Sequence, residues 1–116
     1  MIQKSFVDGG GKPIARVYFS VPGGGRGASI YLVGDFNDWH LTSHPMQYHP
    51  NSGWALTLEL DVGRAYQFRY LRDGEEWMCD SQADGFVYNT NGVHNFIVVT
   101  DPAYRRYSGN GKQAPG

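Results

Sequence analysis

The chain of 116 residues carries a single cysteine, Cys79, so it can build neither an internal disulfide framework nor a multi-cysteine zinc site. It also lacks an excess of either charge, because ten Lys and Arg stand against eleven Asp and Glu for a net charge of -1. Without a long-range field to recruit phosphate backbones or an anionic surface, neither a nucleic acid nor a membrane is expected as a partner. Apolar runs are short, and a stretch such as residues 96–99 is far from the length that crosses a bilayer. Met1-Ile2-Gln3-Lys4 is followed by no apolar secretory segment, and a cytoplasmic location is the expectation. No segment repeats its apolar positions with a helical period of about 3.6 residues, which leaves little place for α-helix.

What is present is aromatic and glycine-rich: 41% apolar and 15% aromatic residues, with sixteen Gly, eight Tyr and three Trp. That composition suits short strands joined by tight turns, in a single domain with one modest core. Residues 14–21 alternate, with Val17, Phe19 and Val21 on one side and Arg16, Tyr18 and Ser20 on the other, until Pro22 and a run of Gly end the pattern. A β-branched stretch at residues 29–34 runs into Asp35-Phe36-Asn37-Asp38-Trp39, a turn-like segment that places Trp39 on a loop. Residues 53–60 alternate most cleanly, setting Trp54, Leu56, Leu58 and Leu60 on one face. Residues 65–71 alternate again, with Tyr66, Phe68 and Tyr70 inward and Gln67, Arg69 and Leu71 opposite. Asp73-Gly74 is a hairpin signal that returns the chain through Trp77, residues 80–92 read as a long polar loop, and residues 95–100 close the pattern.

Six or seven short strands of this kind predict an all-β, antiparallel β-sandwich of immunoglobulin-like size over residues 14–100. Residues 1–13, with Asp8-Gly9-Gly10-Gly11, read as a flexible arm, and residues 101–116, ending Ser-Gly-Asn-Gly-Lys-Gln-Ala-Pro-Gly, as a flexible tail.

Tyr31-Leu32-Val33-Gly34-Asp35-Phe36-Asn37-Asp38-Trp39 with Pro45-Met46, followed by Tyr66-Gln67-Phe68-Arg69-Tyr70-Leu71-Arg72-Asp73-Gly74, Trp77, Asp80 and a terminal Asn95-to-Val99 strand, resembles the glycogen-binding modules of carbohydrate-binding module family 48. Such modules occur in the beta subunit of AMP-activated protein kinase and ahead of the catalytic barrels of isoamylases and branching enzymes. The resemblance covers roughly residues 14–100 and is closest to short stand-alone bacterial members. It implies an early-set immunoglobulin-like sandwich that binds α-1,4-linked glucan such as glycogen or starch. The two Trp of the family's sugar platform fall at Trp39 and Trp77, and its sugar-binding Lys at Arg69, which keeps the charge and adds a planar fork of donors. The family's Asn before the last strand falls at His94 or Asn95. The hydrophobic residue that inserts into a curled glucan falls near Thr90, where a short polar side chain cannot thread the turn.

The residues themselves leave alternatives beside that reading. Sugars present apolar C–H faces rimmed by hydroxyls and call for flat aromatic faces flanked by donors and acceptors. Trp39 and Trp77 follow turns and are out of register with any apolar stripe, whereas Trp54 begins a stripe of Leu and reads as core. Arg69 reads either as a ligand contact or as a surface Arg paired with a carboxylate such as Glu76, and Asn89, Asn91 and Asn95 either as sugar contacts or as turn residues.

His40, His44 and His49 invite a metal reading, but Pro45 and Pro50 argue for a loop, and no metal site is expected. Asp35 and Asp38 could be cast as a glycosidase acid and base, but an Asx-rich turn gives both structural work and no catalytic residue is expected. Cys79 reads as an inert thiol, and Gly23-Gly24-Gly25 lacks the Lys-Ser/Thr and helix of a phosphate loop. The expectation is a non-catalytic module that binds α-glucan and uses no cofactor. One rival is a protein-interaction module docking to a carbohydrate-active enzyme or a kinase-like partner, and another is a sugar-processing enzyme.

Overall fold

The computed structural model describes residues 2–22, 28–78, 80, 82–88 and 94–104. Among them the chain forms β1 (Ile2–Asp8), β2 (Pro13–Val21), β3 (Ile30–Gly34), a 3₁₀ turn (Asp35–Asn37), β4 (Gln47–His49), β5 (Gly53–Asp61), β6 (Ala65–Arg72), β7 (Glu76–Met78), β8 (Gly85–Tyr88) and β9 (His94–Val99). One sheet has the order β1-β2-β5-β4 and the other β3-β6-β9-β8, with β7 also paired to β6. Every ladder is antiparallel, so the predicted all-β antiparallel sandwich is what the chain forms. Among the described residues no helix is long and apolar enough to cross a membrane.

The register follows the alternation. Val17 pairs with Leu58, Phe19 with Leu56 and Val21 with Trp54 across β2 and β5, which turns both apolar stripes to the same side. In the facing sheet Leu32 pairs with Tyr70 and Gly34 with Phe68. Phe19 and Phe68 meet edge to face across the sandwich at 5.3 Å between ring centres, an arrangement that adds to the burial of both rings. Ala15, Val17, Ile30, Leu32, Tyr70 and Val98 complete the fully enclosed core.

Three strands lie where composition alone predicts none. Residues 2–8 form β1, because the glycine run after them is the turn of a hairpin: Gly10 and Gly11 adopt φ of 79° and 91°, which glycine reaches without steric cost, and Asp8 Oδ1 accepts the Gly11 N–H at 2.7 Å. Lys4 Nζ lies 2.6 Å from Asp84 Oδ2, and the same oxygen accepts the Val99 N–H at 2.7 Å, so β1 is tied across the sandwich to β9. β8 lies within the expected polar loop, since Phe86, Val87 and Tyr88 are good strand formers in a run too short to show a period. β4 is three residues paired to β5. Residues 108–116, Cys79 and Gly23-Gly24-Gly25 lie outside the described residues.

Candidate functional site

The second sheet turns Tyr66, Phe68 and Tyr70 toward the core and Gln67, Arg69 and Leu71 to its outer face. Register brings others to that outer face. Trp77 is the cross-strand partner of Leu71, and Ile97 pairs with Gln67, so Asn95, two residues before it, points the same way. The Asp73-Gly74 turn makes this possible, with φ of 52° and 72°, and Ser29 locks it by donating its N–H to Asp73 Oδ1 at 2.9 Å. Arg69 and Trp77, separated in sequence, therefore meet: the guanidinium carbon lies 4.6 Å from the centre of the Trp77 ring, within cation–π range. Arg69 is thus a stacking partner of Trp77, and Trp77 remains 38% exposed.

Gln67 and Asn95 form the polar end of the row. The Asn95 amide donates to Gln67 Oε1 at 3.1 Å, which orders both side chains and leaves each with further donor or acceptor capacity. Val33 and Leu71 also face outward, yet both are buried. Their cross-strand neighbours are Arg69 for Val33 and Tyr31 and Trp77 for Leu71, so the large side chains of the row roof a small apolar patch.

Trp39 reaches the same region by a different route. After β3 the chain must turn sharply past β6, and Gly34 permits it, since a Cβ there would stand 2.5 Å from the Gln67 carbonyl oxygen and 2.9 Å from Phe68 Cβ. Asn37 closes the turn: its Oδ1 accepts the Gly34 N–H at 3.1 Å and its amide donates to the Leu32 carbonyl at the same distance. Asp35 then spends both carboxylate oxygens, Oδ1 accepting the Trp39 indole N–H at 3.0 Å and Oδ2 the Gln67 backbone N–H at 2.7 Å. Trp39 is half-buried.

The other candidates sit elsewhere. Trp54 is buried in the core and packs against Tyr48 at 5.2 Å between ring centres. His44 Nδ1 lies 3.0 Å from the Asn37 amide nitrogen and 2.8 Å from Ser43 Oγ, His40 Nδ1 accepts the Thr42 N–H at 3.2 Å, and His49 ends β4. Asp38 is exposed at φ 53°. Thr90, Asn89 and Asn91 lie outside the described residues, and His94 is described only as backbone of β9.

Two features carry no signal in sequence. Phe86 and Tyr88 are 56% and 65% exposed with rings 6.0 Å apart. Phe86 pairs with Phe96, which pairs with Phe68, so these aromatics lie on the core side of the sheet, on its edge strand β8 and on the opposite face from Trp77. A cleft of about 690 Å³ opens between Tyr70, Met78 and Asp80 on one side and Gln3, Ser20 and Val21 on the other. Within it Tyr70 donates its hydroxyl to Asp80 Oδ2 at 2.7 Å, and burial, reinforced by the Asp80 charge, pushes the phenol well above its usual value.

Residues 17–105 match the family described as the glycogen recognition site of AMP-activated protein kinase. The chain belongs to that family of glycogen-recognition modules. It is 29% identical over 91 residues to the 1,4-alpha-glucan branching enzyme GlgB of Photobacterium profundum, a match that takes in 78% of this chain and spans only 12% of the enzyme's length. In this glycogen-recognition module the two sequence blocks that carry the resemblance are the turn that holds Trp39 and the β6–β7 hairpin that bears Arg69 and Trp77. Asp35 links them through its bond to Gln67.

Proposed function

We propose that the module binds α-1,4-linked glucan, such as glycogen, starch or a maltooligosaccharide, without acting on it, and that the outer face of the second sheet is the site. The observation that carries this reading is the stacking of Arg69 on an exposed Trp77 in the same row as the Gln67–Asn95 pair. A flat indole, charged donors and an ordered amide pair match a ligand with apolar ring faces and hydroxyl rims. Trp39 supplies the second stacking surface and Asn95 the rim contact. His94 is the alternative rim contact that the resemblance offers, and Thr90, at the family's inserting position, is too short to thread a curled glucan. The partners are then α-glucan and the carbohydrate-active enzyme whose substrate it is, in the cytoplasm.

A non-catalytic role is supported by the engagement of both Asp35 oxygens with structural donors, which gives that carboxylate a role in holding the turn. Retention of the parent on a native gel containing glycogen, against a gel without it, tests the proposal. Equal migration on both overturns it, and release of shorter sugars from a maltooligosaccharide overturns its non-catalytic part. A protein-docking reading is favoured by the exposed Phe86–Tyr88 pair, and there the gel shows no retention.

A further inference from the structure

We propose that Asp35 is a positioning residue for the sugar platform, fixing the pose of Trp39 so that the indole offers a ligand its ring face and not its N–H; this rests on the glucan-binding reading above. Asp38 and Trp39 follow one another at φ of 53° and 59°, a left-handed backbone that is unusual for a non-glycine residue and costly for one as bulky as Trp. Such conformations persist only where the surroundings over-determine them. Two tethers hold Trp39 there: its backbone N–H donates to the Gly34 carbonyl at 2.9 Å, and its indole N–H donates to Asp35 Oδ1 at 3.0 Å.

The second tether is rigid because Asp35 is itself anchored. The backbone ladder between β3 and β6 ends at the Gly34–Phe68 pair, and Asp35 Oδ2 takes the Gln67 N–H at 2.7 Å, so the side chain extends the ladder where the main chain turns away. The carboxylate thus couples the indole to the strand that bears Gln67 and Arg69. Both bonds have an ionised acceptor, which makes them stronger than neutral ones.

Two consequences follow for recognition. The indole's one polar atom is consumed, so Trp39 reads sugar C–H faces only, and hydroxyls must be met by Arg69, Gln67 and Asn95. A pose fixed in advance also removes the ordering cost that a free Trp would meet on binding. Asp35 therefore divides its work, the Oδ2 bond holding the fold and the Oδ1 bond holding the platform.

Asp35→Asn tests that separation. The amide keeps one acceptor oxygen, which the strand-fixed Gln67 N–H retains, and its NH₂ then faces the indole N–H, donor against donor. The expected result is a thermal midpoint close to the parent's, a Trp39 indole proton that exchanges faster with solvent in NMR spectra, and maltoheptaose affinity reduced about tenfold. Slow exchange of that proton in the parent is the matching expectation and needs no variant. Parent-like affinity in Asp35→Asn overturns the positioning role, as does a Trp39 indole proton in the parent that exchanges as fast as a free indole. A Trp39→Ala sample titrated in parallel separates the two ideas: if it binds maltoheptaose as the parent does, the platform reading itself fails.

Discussion

Two tryptophan environments in this module invert the usual rule that polar atoms are satisfied inside and left to water outside. Trp54 is 7% exposed, and its indole N–H is buried without a partner among the described residues. Trp39, nearer the surface, has its N–H bound to a carboxylate that is itself bound to a strand. A buried orphan donor costs on the order of 1–3 kcal/mol, so Trp54 stays for the volume it fills beside Tyr48 and Val21. Geometry is fixed at Trp39, where the proposed ligand would be read, and apolar volume is supplied at Trp54, where the sheets must close.

The largest expected effect is at Trp54. Trp54→Ala should destabilise the fold by roughly 3–5 kcal/mol in urea unfolding, since it removes a buried indole and leaves a cavity, while the folded fraction keeps its glucan affinity. A loss below about 1 kcal/mol would erase the contrast. Next come Trp39→Ala and Trp77→Ala, each expected to weaken maltooligosaccharide binding by about 2 kcal/mol, or about 30-fold, in calorimetric titration. Both should leave the thermal midpoint near the parent's, with Trp77→Ala slightly lower because Trp77 roofs Leu71. Arg69→Ala should cost about 1 kcal/mol of binding, through the lost stacking and donors, and Arg69→Lys less; equal affinity in all three forms would remove Arg69 from the site.

The smallest effects concern pH. The Tyr70 phenol titrates higher in the folded chain than its unfolded value of 10.0, so its contribution to stability is full below about pH 10 and is lost as pH rises beyond it. Tyr70→Phe should flatten that alkaline decline in thermal scans, and an unchanged slope would assign it to other groups. Glucan binding should stay nearly constant between about pH 6 and 8, because Trp, Arg, Gln and Asn do not titrate there. A steep change in that window would point to His94 as the rim contact in place of Asn95.

Strands with clean alternation were legible in the sequence: Val17, Phe19 and Val21 in β2, the Trp54-to-Leu60 stripe, and the inward Tyr66, Phe68 and Tyr70 all face as their periods predict. β1 was hidden because three glycines look alike in a linker and in a hairpin turn, and only the pairing of residues 2–8 with β2 tells them apart. β8 was hidden because four residues carry no period. The outer face was legible as a face but not as a network. Alternation places Arg69 opposite Phe68, but the stacking on Trp77 depends on the register of a hairpin, and the Asn95–Gln67 bond on a register between strands 28 positions apart. Asp35 was legible as a turn residue, while its use of both oxygens to join Trp39 to Gln67 required the close approach that Gly34 allows.

The most direct test of the central claim is calorimetric titration of maltoheptaose into the parent and the Trp39→Ala, Trp77→Ala and Trp54→Ala variants, with a thermal midpoint taken on each sample. The expected result is weak binding by the parent, roughly micromolar to millimolar, a loss of about 30-fold or more in Trp39→Ala and Trp77→Ala at near-parent midpoints, and a lowered midpoint with retained affinity in Trp54→Ala. Parent-like affinity in both surface variants, or unfolding of both, would contradict it.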